Sequence, residues 1–373
     1  MIGTQEAALA KLDLVARGVV APQELDLRLA DALYVRAAPS NEALWRLTGR
    51  GGRQVLVRDA VELAVEIFPP PAFLTGTTHQ GVPMRDIARF LGPYLLVTPG
   101  GSCGYSTRGA PCPFCREGAR TTTGQAAATV GDVVETVRAA FTERRPRVVY
   151  FNSAVFDSED GGMAFLAPYI EAVRSHFPTL IACQVHPPGD TTWIARSYAL
   201  GVDALSYNLE VYTSEGLNRH CIGRARYIGR ERYLEALAYA AGIFPRGTVW
   251  TELALGIEPI ETLEQAISDL TGLGVVPVVS LAGSTVAHGS SELVRLFTHL
   301  HERAQKAALT TWLVDLATAV TPLEAAYFLA PRGQQVANGS GLHRSRLGAL
   351  AVRNMARLRR RLRVRPAQAG GTH

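Results

Sequence analysis

Tyr94-Leu-Leu-Val-Thr98 is followed at once by Gly101-Ser-Cys103-Gly-Tyr-Ser-Thr-Arg-Gly-Ala-Pro-Cys112-Pro-Phe-Cys115. The first stretch reads as a short buried strand, the second as a loop with three of the chain's five cysteines, spaced Cys-x8-Cys-x2-Cys. Beyond it, strand and helix patterns alternate. Strands are expected at Arg147–Asn152, Thr179–Val185, Ala204–Glu210, Thr248–Ile257 and Val275–Leu281. Helices are expected at Gly162–Ser175, Thr191–Leu200, Arg230–Ala241, Thr262–Leu273 and Glu292–Ala308, three of them stopped by Gly201, Gly242 and Gly274. Alternation of this kind implies a parallel sheet under covering helices. Six or more such units make an α/β fold of the (β/α) TIM-type barrel, full or partial, the economical reading.

In such a barrel the functional groups sit at the C-terminal ends of the strands. The cysteine loop follows strand one. Asn152 and Ser153 end strand two, Cys183 and His186 strand three, Asn208 and Glu210 strand four, and Gly256, Ile257 and Glu258 strand five. Thiolates are soft ligands for zinc or iron–sulfur clusters. A closed zinc site wants four protein ligands, and this loop has three cysteines and no histidine. Three ligands suit a four-iron four-sulfur cluster with one iron left open. Two other readings stay open at this point: a thiol–disulfide pair at Cys112-Pro-Phe-Cys115, and a zinc knot completed by a distant ligand.

Phe114 directly precedes the third cysteine. With it the loop resembles the radical S-adenosylmethionine (SAM) superfamily, although the usual first gap is three residues rather than eight. Gly104, Gly109 and Pro111 would let the longer loop fold back. The resemblance covers about residues 94–290 and is closest to the biotin synthase-like branch, with its hydrogenase-cofactor and pyrrolysine-pathway maturases. It implies that Cys103, Cys112 and Cys115 hold a 4Fe-4S cluster whose open iron takes the amino and carboxylate groups of SAM, and that Phe114 lies beside the adenine. Asn208-Leu-Glu210 resembles the triplet that holds the ribose. By residue chemistry alone, an amide and a carboxylate at i and i+2 on a strand can bind two vicinal hydroxyls. An arginine before the next helix pairs with the SAM carboxylate in that family. Of Arg224, Arg226 and Arg230, Arg226 is favoured. The run from Glu252 through Gly256 and Ile257 resembles the strand whose backbone lies against adenine. Cys183 matches a cluster ligand of biotin synthase, but the cysteines that would complete a second, sulfur-donating cluster are missing.

The expected activity is reductive cleavage of SAM to a 5′-deoxyadenosyl radical that takes hydrogen from a small-molecule substrate. Rearrangement or cleavage in cofactor or small-molecule biosynthesis is favoured over sulfur insertion, with lyase, mutase and transferase all open. An electron donor such as flavodoxin or ferredoxin is implied. Asn152, Ser153, Cys183 and His186 are candidate substrate residues. Cys183 and Cys221 read first as buried structural cysteines, and His186, His220 and His288 as ordinary polar loop residues, His186 having the best claim to a role at the site.

The rest of the chain bounds this reading. It has 373 residues, 47% hydrophobic, enough for a full core without disulfides. An odd cysteine count, no signal-like start and no apolar run near 18 residues argue for a cytoplasmic protein. Residues 1–92 read as an N-terminal helical extension, with helices carrying Leu9 and Leu12, then Leu25, Leu29 and Leu33, then a third from Ser40 and a fourth from Asp59. Residues 93–330 form the barrel, with a seventh strand at Leu309–Asp315. Residues 331–373 are a basic C-terminal helix and tail. From Arg344 to Arg365 there are nine arginines and no acid, which accounts for the net charge of +5. Such a helix can dock on an acidic protein or a membrane surface, or stand solvated. A nucleic-acid-binding protein using this block and a zinc or thiol site is the non-enzymatic rival, but no specific nucleic-acid partner is expected.

Overall fold

The computed structural model describes residues 4–29, 33–92, 94–113, 115, 126–280, 290–309, 312–315 and 346–363. Helix α1 (Thr4–Arg17) is followed by six short strands: β1 (Leu25–Arg28), β2 (Tyr34–Ala37), β3 (Arg46–Arg50), β4 (Arg53–Arg58), β5 (Val61–Ala64) and β6 (Glu66–Phe68). They make two antiparallel three-stranded sheets, ordered β2-β1-β6 and β3-β4-β5. The helical reading of residues 20–68 is therefore wrong. Leu25, Leu29 and Leu33 are four apart, and four is a multiple of the strand period as well as close to a helical turn. The residues between decide it. Leu25 and Leu27 are buried while Asp26 and Arg28 are not, the alternation of a half-buried strand. Asp59 begins no helix; it has φ +53 in the tight turn between β4 and β5.

A short helix α2 (Met84–Ile87) leads into β7 (Ala88–Leu91), which pairs antiparallel with β8 (Tyr94–Val97). The expected domain boundary at residue 92 thus falls within a hairpin. The alternating part then runs α3 (Val130–Glu143), β9 (Val148–Asn152), α4 (Met163–His176), β10 (Leu180–Gln184), α5 (Thr192–Leu200), β11 (Ala204–Ser206), α6 (Ser214–His220), α7 (Ile222–Tyr227), α8 (Arg230–Ile243), β12 (Val249–Ala254), α9 (Ile260–Gly272), β13 (Val276–Ser280) and α10 (Ser290–Lys306). Strands β8 to β13 are parallel and lie in chain order, with β7 on the β8 edge. Six of the seven expected strands are present, the fourth cut short at Ser206. The sheet curls as a half-barrel and its two edge strands do not pair with each other among the described residues.

The curl is visible across the sheet. Tyr150 on β9 and Trp250 on β12 are three strands apart, about 14 Å along a flat sheet, yet their ring centroids are 5.8 Å apart. Parity divides each strand between two apolar clusters. Val149, Phe151, Ile181, Cys183, Leu205 and Val249 face the helical layer. Val148, Tyr150, Leu180, Ala182, Ala204, Trp250, Val276 and Val278 face the concave side.

The concave cluster also contains Leu313 and Val314 from α11 (Trp312–Asp315) and Ala356 from α12 (Arg346–Arg363). The expected seventh strand is therefore a helical turn with two adjacent buried residues. The arginine-rich segment is helical as expected and contributes a small buried side to this cluster, while Leu347 and Leu358 stand exposed. The possible helix at Thr321 and the loop at residues 332–341 lie outside the described residues, as does His288.

Helix α3 ties the N-terminal part to the barrel at both its ends. Thr129 and Asp132 form a reciprocal capping box, and the Thr78 hydroxyl donates to Asp132 at 2.6 Å. At the far end Glu143 accepts from the backbone N–H groups of Ala72 and Phe73 at 2.7 and 2.6 Å. Thr129→Ala should lower the unfolding free energy by about 1 kcal/mol, the usual worth of such a cap, read by urea denaturation; no measurable change would show that Asp132 holds the helix start alone.

Candidate functional site

The cysteine loop leaves the C-terminal end of β8 and folds back on itself. A single 3-10 turn, Ser106–Arg108, ends at Gly109 with φ +70, a backbone conformation that favours glycine. The loop packs tightly on its neighbours. Gly104 N–H donates to Ala154 O at 3.1 Å, and a Cβ on Gly104 would sit 2.7 Å from that of Phe156. Opposite, a Cβ on Gly223 of α7 would lie 2.6 Å from Ala110 O and from the Tyr105 Cβ. Arg108 stacks over Phe156 and Tyr227 at 5.1 and 5.2 Å. The loop is thereby clamped between the segment after β9 and helix α7.

Each cysteine has a different environment. Cys103 is buried in a small cluster with Tyr105 and Phe156. Cys115 is half-buried and its N–H donates to Cys112 O at 3.0 Å. Cys112 is half-buried beside Cys221 at the start of α7, whose hydrogen bond lowers its thiol to about 7, with Arg224 helping and burial opposing. The same contact and burial push Cys221 up. All five cysteines are free thiols, so Cys112 and Cys115 are not joined as a disulfide. Among the described residues no three His, Cys, Asp or Glu side chains are gathered as a metal-holding group. Phe114 lies outside the described residues.

Arg224 is the centre of the site. It is 8% exposed, donates from Nη1 to Asn208 O at 2.5 Å, and places Nη2 3.6 Å from the Glu210 carboxylate. Burial opposes its charge, but Tyr233 and Glu210 favour it and prevail. Arg226, the arginine favoured from sequence, is exposed two residues further along α7 and does not join this group. Two residues on a helix are about 200° apart, so only one of the pair can face the sheet. Arg230 instead reaches Tyr212 O at 2.6 Å.

Asn208 and Glu210 are brought together, but not by a continuous strand. Strand β11 stops at Ser206, and Glu210 has φ +67. This left-handed residue is fixed by two bonds to β12: its N–H donates to Glu252 O and its O accepts from Ala254 N–H, both at 2.8 Å. A non-glycine residue held there by its surroundings marks a strained, over-determined position. The Asn208 side chain accepts from Ser206 Oγ, and it favours the charged forms of the Glu210 and Glu252 carboxylates. Burial pushes Glu210 up, and Arg224 and Asn208 partly reverse it.

His186 is near the site and neutral. Burial, then Arg224, lowers it to about 3. Its Nδ1 is 3.0 Å from the Tyr105 hydroxyl, which places it behind the cysteine loop. Cys183 does not face the site. It is fully buried on the helical side of β10, because odd positions of that strand point outward, and burial raises its thiol. The substrate role expected for it is therefore corrected to a packing role. Asn152 ends β9 half-buried on the concave side, while the buried Ser153 hydroxyl accepts from Val155 N–H at 3.0 Å and shapes the turn. Gly256 turns with φ +88 after β12, and Ile257 is half-buried against the helical-side core. Glu258 accepts from Tyr212 N–H at 2.5 Å and Thr213 N–H at 2.9 Å, so it is a clamp on the start of α6. His220 is half-buried at the end of α6.

Sequence reasoning passed over Tyr105, Tyr233 and Glu252. Glu252 could have been found by counting: it is two residues beyond Trp250 and shares its face. Burial, then Glu210, pushes its carboxyl up to about 7. The native chain therefore keeps a proton there that the unfolded chain, with an ordinary value of 4.5, releases. Stability falls as pH rises through that window, and the penalty is fully present above pH 7, on the order of 3 kcal/mol. Glu252→Gln should match the parent in urea denaturation near pH 4.5 and exceed it at pH 8. An advantage that is equal at both pH values would show that Glu252 does not carry the proton.

No protein-family model matches the chain, and no curated protein matches it.

Proposed function

We propose that this protein is a radical SAM enzyme acting on a small molecule. The observation that carries the reading is where these residues fall on a parallel half-barrel: a three-cysteine loop directly after β8, Asn208 and Glu210 after β11, and Arg224 on α7 meeting both. The donor chemistry fits a cluster with three protein ligands: free thiols on one loop, one of them with its pKa already lowered toward thiolate. Cys103, Cys112 and Cys115 would hold the 4Fe-4S cluster, and Phe114, Gly256 and Ile257 would border the adenine. When bound, the cluster supplies the electron that cleaves SAM to methionine and a 5′-deoxyadenosyl radical.

The chain's own groups do the rest. Asn208 and Glu210 offer an amide and a carboxylate to vicinal hydroxyls. Arg224, rather than Arg226, is the guanidinium placed to meet a carboxylate, and its position is held by the Asn208 carbonyl. Burial of this group excludes water and competing hydrogen donors. Neutral His186 and the high phenol of Tyr105, raised first by burial, keep the back of the loop uncharged at neutral pH. Rearrangement or cleavage of the substrate is favoured over sulfur insertion, since Cys183 faces away from the site. A flavodoxin- or ferredoxin-type donor would supply the electron.

The test is anaerobic reconstitution with iron and sulfide, then dithionite and SAM. A brown protein should form methionine and 5′-deoxyadenosine, and Cys112→Ala should lose both colour and products. A colourless protein that retains one zinc, or equal product from Cys112→Ala, would overturn the proposal.

A further inference from the structure

The arginine-rich helix α12 is held to the body by its small side. Ala356 is 2% exposed and packs in the concave cluster with Leu313 and Val314 of α11. At about 100° per residue, Leu347 and Leu358 lie roughly 160–180° around the axis from Ala356. The large apolar side chains therefore face away from the core: Leu347 is 72% exposed, Leu358 57%, Leu350 46% and Met355 44%. Four of the eight exposed large hydrophobic residues among those described are on this one helix. With exposed Ala351 they fill an arc of about 140° along about 16 Å of its length. Exposed leucines scattered singly need no explanation, but a contiguous stripe marks an interaction surface. An amphipathic helix ordinarily turns such a stripe inward. Exposed Arg353, Arg357 and Arg361 run down one side of it, and residues 344–365 hold nine arginines and no acid.

We infer that α12 lays its leucine stripe on an anionic membrane surface, its arginines meeting the lipid phosphates. The occupant must offer an apolar layer bordered by negative charge along a straight line, and an anionic bilayer surface offers both. The inner side of the helix is already taken by the body through Ala356, so an acidic protein groove that encloses a helix cannot close around it. A nucleic acid would use the arginines and leave the leucines in water. A second copy of the helix would set arginine against arginine. No helix among the described residues is long and apolar enough to cross a membrane, so the contact is a helix lying in the interface plane. This surface is independent of the radical SAM reading.

Co-sedimentation of the full chain with vesicles tests the inference, and it needs neither cluster nor SAM. The protein should partition at least tenfold more strongly onto phosphatidylcholine vesicles containing 30 mol% phosphatidylglycerol than onto pure phosphatidylcholine. The double substitution Leu347→Gln/Leu358→Gln should lower that binding at least tenfold, and Arg353→Gln/Arg357→Gln at least threefold. All four side chains are exposed, so circular dichroism and urea denaturation should match the parent. Absent binding, equal binding to the two vesicle types, or binding that survives the leucine substitutions would overturn the inference. Duplex DNA or polyglutamate bound more tightly than the anionic vesicles, with the same loss in the leucine variant, would give this face to a nucleic acid or an acidic protein and would overturn it as well.

Discussion

Arg224→Met should lower the unfolding free energy by about 3–5 kcal/mol, the usual cost of removing one partner from a buried ion pair. The Arg224 guanidinium is 3.6 Å from Glu210 and bonds Asn208 O, inside a site where Glu210 and Glu252 both resist ionisation because they are buried. Methionine fills much of the same volume, so the loss is mostly electrostatic. The damage therefore depends on pH. It should be largest at pH 8, where Glu210 would have to be charged without its partner, and smallest near pH 5, where it can take a proton. Adding Glu210→Gln should restore part of the stability, and the coupling read from that double-mutant cycle measures the pair directly. A loss below about 1 kcal/mol at pH 8 would mean that water, not Arg224, compensates Glu210. Arg226→Met, a change at the exposed neighbour, should cost less than about 0.5 kcal/mol.

Arg174→Ala should be equally severe, about 3–5 kcal/mol, for a different reason. Arg174 on α4 is 3% exposed and works as a fork at the bottom of the barrel. Nη1 donates to Thr179 O at 2.6 Å, and Nη2 meets Asp203 at 2.6 Å and also reaches Gly201 O. Asp203 in turn accepts from Ile181 N–H at 2.8 Å. One side chain thus joins the entries to β10 and β11, and its removal takes this guanidinium away from the buried Asp203 carboxylate. Lysine cannot reach the same acceptors in one plane, so Arg174→Lys should recover less than half of the loss. Arg50→Ala, which breaks the exposed pair with Glu62, is the control and should cost less than about 1 kcal/mol. If the two substitutions have similar effects by urea denaturation, the buried fork does not set the strand starts.

The alternating half of the chain was legible because its signals are local. Val148–Asn152, Leu180–Gln184 and Val276–Ser280 are apolar runs of strand length, and glycines such as Gly201 and Gly274 end the helices before them or after them. Residues 20–68 were not legible in the same way. Their leucines fall four apart, a spacing that serves a strand and a helix equally, and pairing with distant strands settled the matter. Segment 309–315 has the composition of a strand, but its buried pair packs in the concave cluster as a helical turn. The site divides along the same line. The cysteine spacing and the Asn208–Glu210 pair can be read from the chain, since they lie a few residues apart. Arg224 over Arg226 could not, because the helix that carries them has no apolar stripe long enough to set its rotation.

The order of residues alone determined the strands β8 to β13, their parallel order and the loop that bears three thiols, because each depends on neighbours close in sequence. Only the folded chain decided that the described strands curl as a half-barrel, that Cys183 faces outward, that Arg224 rather than Arg226 is buried at the site and that Glu252 lies on the concave face. Those outcomes depend on which side of a strand or helix meets the concave face, and that is set by packing between segments far apart along the chain.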